Sequence, residues 1–295
     1  MSVPRPPPAV DVIESEELVQ YIHPSLLHID CFSKPVQLTV VAGAFMFYTL
    51  LFFVSLLACN VIPIFGALKF KHRVFMSLAA VRGVFGVFGI VLGSWGLFWK
   101  TNLDRDVVFG RTLTSVYAMY IVIGFFAFEV VSVVASDIYF KSFSKLLITH
   151  HGLALAGYIV ALYQESNYSF ATKALINEMS TPFSCLCFVL IKARMGNTLA
   201  FKINQILLVH SFHLRSVVEC YLWYLTFQNG SYIWTYMPSA IFWLMYFQLF
   251  LVTVIMTPYW GYKKTQQLFN PVDWNHETEA RTDTMASNGV AKKIE

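Results

Sequence analysis

Charged residues are scarce in this chain of 295 residues. Asp, Glu, Lys and Arg together make up 13% of it, about half of the roughly 25% that soluble domains carry. Apolar residues make up 57% and aromatic residues 17%. This balance excludes an ordinary soluble domain and indicates an integral membrane protein with many spans.

Metal-binding and disulfide motifs are also missing from the chain. The five cysteines show neither a zinc spacing nor a disulfide framework. No H-E-x-x-H or H-x-x-x-H motif occurs. The adjacent His150 and His151 cannot grip one metal as histidines one turn apart do, because neighbouring helical side chains point about 100° apart. We expect no bound metal or cofactor, and no nucleic-acid partner.

Seven apolar stretches are long enough to cross a bilayer, which needs about 20 residues. They lie near residues 38–62, 74–99, 113–135, 146–163, 172–191, 199–227 and 233–257. The sequence therefore predicts an all-α polytopic membrane protein of about seven transmembrane helices. Residues 1–37 are expected to form a largely disordered N-terminal segment, 38–262 the transmembrane domain and 263–295 a C-terminal tail.

The basic residues predict the orientation of these spans. Of the 21 Lys and Arg residues, 13 lie on the side that carries the C-terminus. Five lie on the other side (Arg5, Lys34, Lys100, Arg105, Arg111) and three in or at the ends of spans (Arg82, Lys173, Arg215). The positive-inside rule then predicts a lumenal N-terminus and a cytosolic C-terminus. The sequons at Asn167 and Asn229 fall in lumenal loops, where they are either glycosylated or chance occurrences.

The last four residues predict where the protein resides. Lys292 and Lys293 form a K-K-x-x ending, typical of a retrieval signal that a cytosolic coat reads to return proteins to the endoplasmic reticulum (ER). The predicted cytosolic tail would expose this signal. We therefore expect residence in the ER membrane and the retrieval coat as a partner.

Charged groups within the spans must face one another, a cavity or water, because a charge in hydrocarbon is costly. These groups are Arg82, Glu129, Glu178, Arg215 and Glu219. Arg215 and Glu219 stand four residues apart and can pair along one helix face, either only to fix packing or beside a functional pocket. His210 and His213 project from a different face of the same helix, and either contact neighbouring helices or complete a pocket.

Small residues form a ridge on the second predicted span. Gly83, Gly86, Gly89, Gly93 and Gly96 recur every three or four residues and gather on one side of the helix. Such a ridge lets another backbone approach closely. Tight helix packing is the simpler interpretation, and a groove for an acyl chain is the alternative.

The paired histidines also allow two interpretations. His150 and His151 either form hydrogen bonds near the cytosolic face of the membrane, or one imidazole faces a cavity while the other orients it. The second arrangement suits nucleophilic or general-base attack on a thioester without a metal. Coenzyme A thioesters are available on the cytosolic side, where the pair is expected.

The chain resembles the TLC-domain family of membrane proteins, which includes ceramide synthases and proteins of neuronal ceroid lipofuscinosis. The resemblance covers roughly residues 38–275. It is carried by segments 80–86, 149–151, 178–183, 202–205 and 210–213 and by the long run from Pro258 to Asn275. Ceramide synthases transfer an acyl group from acyl-CoA and depend on paired histidines. The resemblance thus implies catalytic roles for His150 and His151.

A departure from the ceramide synthases limits what the resemblance implies. Their aspartate-rich stretch is replaced here by Asn177-Glu178-Met179-Ser180, so we expect acyl transfer but not ceramide synthesis. The nearer relatives are associated with ER lipid homeostasis, acylation of phospholipids destined for lysosomes, and ER export of lysosomal enzymes.

Two functions are therefore expected as alternatives. The first is an acyltransferase that uses acyl-CoA as co-substrate and a lysophospholipid or glycerophosphodiester as acceptor, and so supports lysosomal lipid homeostasis. In it, Glu178, His210 or His213 line the cavity, and Arg82 or Arg215 holds phosphate through its planar fork. The second is a receptor that binds lysosomal enzyme precursors and cycles between the ER and the Golgi. The lumenal loops are short, which favours the enzyme.

Overall fold

A computed structural model describes residues 30–142 and 145–270, which are almost entirely helical. The helices are α1 (Lys34–Val61), α2 (Pro63–Gly66), α3 (Phe70–Phe98), α4 (Asn102–Arg105), α5 (Leu113–Phe140), α6 (Lys145–Tyr163), α7 (Tyr168–Ala174), α8 (Ser180–Lys192), α9 (Leu199–Gln228), α10 (Gly230–Tyr236), α11 (Ser239–Phe250) and α12 (Thr257–Phe269). A 3₁₀ turn (Leu175–Met179) joins α7 to α8, and a π-helical turn (Leu251–Met256) joins α11 to α12. No strand occurs in these residues, so the prediction of an all-α fold is confirmed.

Within the part of the chain that the structure describes, six helical segments are long and apolar enough to cross a membrane. They are Lys34–Val61, Phe70–Phe98, Leu113–Phe140, Lys145–Tyr163, Tyr168–Lys192 and Ser239–Phe269. The seventh predicted span is present as α9, which has 30 residues. It does not join the six, because its histidines and the charged Arg215 and Glu219 lower its mean hydropathy.

Two predicted spans differ in detail from the helices observed. The stretch predicted at 172–191 is interrupted by the 3₁₀ turn, since Pro182 has no N–H to donate to the carbonyl of Glu178 four residues earlier. The stretch predicted at 233–257 begins only at Ser239, after Pro238, and runs on to Phe269. Its π-helical turn directly precedes Pro258, which disturbs the α-helical ladder in the same way.

The helices pack as two connected groups around α6 and the α7–α8 run. On one side, α1 contacts α3 and α5, and α5 contacts α6. On the other side, α9 contacts α8 and α12, and α11 contacts α6. Stacked rings of Phe85 and Phe125, with centroids 3.5 Å apart, join α3 to α5 at the centre of the first group. The paired histidines on α6 thus lie between the two groups.

The glycine ridge of α3 sets the close contact between α3 and the α7–α8 run. A Cβ atom at Gly86 would lie 2.6 Å from Cδ of Pro182, and one at Gly93 would lie 2.6 Å from Cα of Ile176. At Gly89 it would lie 2.9 Å from both Cβ of Glu178 and the carbonyl oxygen of Leu175. The tight-packing interpretation is therefore confirmed, and neighbouring backbone fills the space that the acyl-groove alternative needs.

Candidate active site

The adjacent histidines of α6 are both buried, and each faces a different set of neighbours. Their ring centroids are 5.3 Å apart. His151 lies beside Phe126 of α5, with the ring centroids 5.6 Å apart. His150 turns the other way, toward Trp260 of α12, at 6.0 Å between centroids. The divergence follows from the 100° step between consecutive helical residues.

The side of His151 contains a buried ion pair between α3 and α5. Nε of Arg82 donates to Oε1 of Glu129 at 2.6 Å, and Nη2 contacts the same oxygen. Nδ1 of His151 lies 3.4 Å from that oxygen. Glu129 is fully buried, and the side chain of Arg82 is 22% exposed. Arginine, carboxylate and imidazole therefore form one cluster from three helices.

The side of His150 contains a second buried ion pair. Nε of Arg215 donates to Oε1 of Glu219 at 2.9 Å, which confirms the predicted pairing along α9. The hydroxyl of Thr257 donates to the same oxygen at 2.7 Å. Arg215 also donates through Nη1 to the backbone carbonyl of Asn177 at 3.3 Å, and its guanidinium lies 6.0 Å from the ring of Trp260. This cluster ties α9 to α12 and to the 3₁₀ turn.

A cavity of about 120 Å³ lies between α6, the α7 region, α9 and α11. Its wall along α6 consists of His150, the small residues Ala154, Gly157 and Ala161, and the ring of Tyr158. The hydroxyl of Tyr158 donates to the backbone carbonyl of Ala171 at 2.9 Å. Most of the remaining wall is apolar. The other polar residues that line the cavity are His150, Asn167, Asn177, Glu178, Arg215 and Gln248. The cavity therefore combines an apolar interior with convergent polar groups, the usual composition of a small-molecule site.

Glu178 reaches this cavity because the 3₁₀ turn is pressed against the glycine ridge at Gly89. Its carboxylate accepts a hydrogen bond from the hydroxyl of Thr181 at 2.7 Å. Among the described residues no lysine or arginine forms an ion pair with it. Glu178 therefore keeps acceptor capacity that faces the cavity.

The structure brings together only some of the predicted site residues. His150, Glu178 and Arg215 line the cavity. His151 does not line it, and Arg82 is held by Glu129 outside it. Lys292 and Lys293 lie outside the described residues.

His210 and His213 do not reach the cavity, contrary to the prediction that they line it. Both are exposed on the outer face of α9, on the same stripe as Ile206 and Val217. Nδ1 of His210 meets its hydrogen-bonding need within the helix, at 2.8 Å from the carbonyl oxygen of Ile206. Their position on a face away from Arg215 and Glu219 is as predicted.

Three site residues carry roles that the sequence did not indicate. Glu129 was expected to need a partner, but its contact with His151 depends on the fold. Trp260 lies in the run from Pro258 to Asn275 that carries the resemblance, but nothing in the sequence indicates its contact with His150. Asn167 lines the cavity, is only 4% exposed and has a left-handed backbone (φ 70°), which asparagine tolerates well. Its burial removes this sequon from the surface of the folded protein.

No group of three His, Cys, Asp or Glu side chains suited to holding a metal occurs in residues 30–142 and 145–270. The groups that line the cavity include the imidazole of His150, the carboxylate of Glu178 and the guanidinium of Arg215.

Comparisons with known proteins find relatives that match most of this chain. It is 35% identical to Protein CLN8 of Rattus norvegicus over 264 residues, which are 88% of this chain and 91% of the relative. It is 34% identical to Protein CLN8 of Homo sapiens over 274 residues, 91% of this chain and 95% of the relative. Protein CLN8 of Mus musculus is also 34% identical, over 86% of this chain and 89% of its own length. No protein-family model and no solved structure matches, so the TLC-domain resemblance stays a prediction.

Proposed function

The chain belongs to the CLN8 family, and on that premise we propose that it is an acyltransferase of the ER membrane. Acyl-CoA is the acyl donor, and a lysophospholipid or a glycerophosphodiester is the acceptor. The product serves the lipid composition of lysosomes. The observation that carries the proposal is the cavity at His150, where an imidazole meets a carboxylate and a guanidinium within apolar walls.

His150 acts as the general base in this proposal. It accepts the proton of an acceptor hydroxyl while that oxygen attacks the carbonyl carbon of the thioester. A new C–O bond forms, the C–S bond breaks, and the thiolate of coenzyme A takes the proton back from His150. Two observations support this role: the imidazole of His150 lines the cavity, and its Nδ1 forms no hydrogen bond within the described residues, so no protein group occupies that nitrogen.

The apolar wall of the cavity accepts the acyl chain. From His150 to Ala161 the lining face of α6 advances about 16 Å, at 1.5 Å per residue. Ala154, Gly157 and Ala161 leave room along this face, and the aromatic ring of Tyr158 adds apolar surface beside them. Burial of a chain against it is favourable at roughly 0.8 kcal/mol for each CH₂ group.

Glu178 and Arg215 position the acceptor. The carboxylate of Glu178 accepts a hydrogen bond from an acceptor hydroxyl. Arg215 has five N–H donors, and the described contacts with Glu219 and Asn177 use two of them. The others are available to phosphate oxygens, which a guanidinium binds in pairs. Arg82 takes no part in this contact, because Glu129 holds it on the other side of His151.

The test uses purified protein reconstituted in liposomes. Radiolabelled acyl-CoA is supplied with a panel of lysophospholipids and glycerophosphodiesters, and the acylated lipid is separated and counted. We expect acylation of at least one acceptor, and a loss of turnover in His150→Ala. A protein that acylates no acceptor, or a His150→Ala variant with full turnover, would contradict the proposal.

The receptor function stays a prediction with weaker support. The loop at 164–167, on the expected lumenal side, is short, and its Ser166 and Asn167 are buried. It offers little area, whereas a specific interface buries about 800 Å² on each partner. The receptor function predicts that substitutions at exposed residues on the expected lumenal side, such as Arg105, reduce capture of lysosomal enzyme precursors, and that His150→Ala does not. Loss of capture in His150→Ala, with capture unchanged in the variants of exposed lumenal residues, would contradict the receptor function.

A further inference from the structure

The buried carboxylate of Glu129 on α5 faces His151, and its ion pair with Arg82 leaves one of its oxygens without a partner in the described residues. Both contacting nitrogens of Arg82, Nε and Nη2, meet the same oxygen of Glu129, Oε1. Arginine–carboxylate pairs frequently form two parallel hydrogen bonds, one to each carboxylate oxygen. Here Oε2 is buried and has no hydrogen-bond partner in the described residues.

His151 carries the complementary unpartnered atom. Its Nδ1 is buried, has no hydrogen bond, and lies 3.4 Å from Oε1 of Glu129. A buried donor or acceptor without a partner destabilises the folded protein. A hydrogen bond from Nδ1–H of His151 to the carboxylate would give this nitrogen a partner, and its distance of 3.4 Å from Oε1 requires only a small movement of either side chain.

Such a hydrogen bond determines which nitrogen of His151 carries the proton. In a neutral imidazole one nitrogen donates and the other accepts. If the carboxylate accepts from Nδ1, then Nε2 is the acceptor, and the plane of the ring is fixed. Arg82 in turn holds Glu129, so the orientation of His151 depends on α3, α5 and α6 together.

The orientation of His151 bears directly on His150. The two rings are neighbours at 5.3 Å, and Trp260 confines His150 on another side at 6.0 Å. Phe126, which packs against His151, also lines the cavity. A His151 ring that turned freely would leave one wall of the His150 site undefined.

We infer that Glu129, held by Arg82, is a positioning residue that fixes the ring of His151 and thereby places His150 for proton transfer at the cavity. The inference rests on the proposed acyltransferase function. Glu129 itself does not line the cavity, so it lies outside the proposed substrate site. Its effect should therefore appear in kcat and not in the KM for acyl-CoA.

The kinetic test compares Glu129→Gln with the wild type in the liposome assay. The amide is the same size as the carboxylate but can present a donor to Nδ1. We expect kcat to fall by about 100-fold, the effect of misplacing a reacting group by roughly 1 Å, with the KM for acyl-CoA unchanged. Glu129→Asp, which keeps the charge, should recover part of the loss. In a His151→Gln background the same Glu129→Gln change should cause no further loss, because the two residues act as a unit.

Two controls separate positioning from stability. Glu129→Gln leaves the buried charge of Arg82 without a partner and so lowers the stability of the fold. The control is the double variant Arg82→Met/Glu129→Gln, which removes both charges. It should fold and show the same loss of kcat. Asp104→Asn breaks a different ion pair, in which Oδ1 of Asp104 lies 2.8 Å from Nζ of Lys173. This variant should lower the stability of the fold without changing kcat.

A spectroscopic measurement makes the inference independent of activity. In protein labelled with ¹⁵N-histidine, the His151 signal, assigned by its absence in His151→Gln, should show the Nδ1–H tautomer in the wild type and lose it in Glu129→Gln. An unchanged tautomer, or a Glu129→Gln variant with the kcat of the wild type, would overturn the inference. A wild type that transfers no acyl group refutes the acyltransferase, whereas the tautomer still decides whether Glu129 orients His151.

Discussion

Gly93→Ala tests whether the α3 ridge places the 3₁₀ turn that carries Glu178. An added Cβ would lie 2.6 Å from Cα of Ile176, and closer still to its nitrogen. Ordinary contact begins at 3.4 Å, so the two backbones must separate by at least about 0.8 Å. Both atoms belong to backbone, so no side-chain rotation relieves the clash. We expect destabilisation at the upper end of the roughly 1–3 kcal/mol typical of overpacked cores.

The assay is thermal unfolding of the detergent-purified protein, followed by acyl transfer at a temperature where the variant is folded. Gly83→Ala, on the same helix as Gly93, is the matched control. Its added Cβ would meet only Cβ of Cys185, at an ordinary contact distance of 3.9 Å. We expect Gly93→Ala to unfold several degrees lower and to lose acceptor binding, while Gly83→Ala behaves as the wild type. Equal stability of the two variants would refute the close packing described here.

Three further predictions concern Glu178, Asn167 and the C-terminus. Glu178→Gln should raise the KM for the acceptor by roughly 10-fold or more, the effect of one charge-assisted hydrogen bond, and leave the KM for acyl-CoA unchanged; an unchanged acceptor KM would exclude Glu178 from acceptor binding. Asn167 should carry no glycan, because it is buried; a glycosidase-sensitive shift that Asn167→Gln abolishes would contradict this. Residues appended after Glu295 should mask the dilysine and release the protein from the ER, and continued ER residence would show that another signal operates.

The positions of the helices could be predicted from hydropathy, but their interruptions could not. Length and apolarity are local properties, and they located every predicted span, including α9. The 3₁₀ turn at Leu175–Met179 depends on contact with α3. The sequence shows the glycine ridge and Pro182 but not that the two meet. The continuation of the last helix to Phe269 was missed because its second half is polar.

The site was predictable only as far as single helices determine it. The 100° step between His150 and His151 correctly implied two different surroundings. That Glu129 lies beside His151, or Trp260 beside His150, depends on how different helices pack against one another. His210 misled the prediction because a polar residue in a span was assumed to face inward, whereas its ring bonds to its own backbone.

The turnover of His150→Gln in the liposome acyl-transfer assay tests most directly whether His150 is the general base. Glutamine approximates the size of histidine and preserves the packing between α6 and α12, but it cannot accept the acceptor's proton. General-base catalysis accelerates a reaction by about 10²–10⁴-fold. We therefore expect His150→Gln to lower kcat by at least 100-fold and to leave the unfolding temperature unchanged. A His150→Gln variant that is fully folded and transfers the acyl group at the rate of the wild type would contradict it.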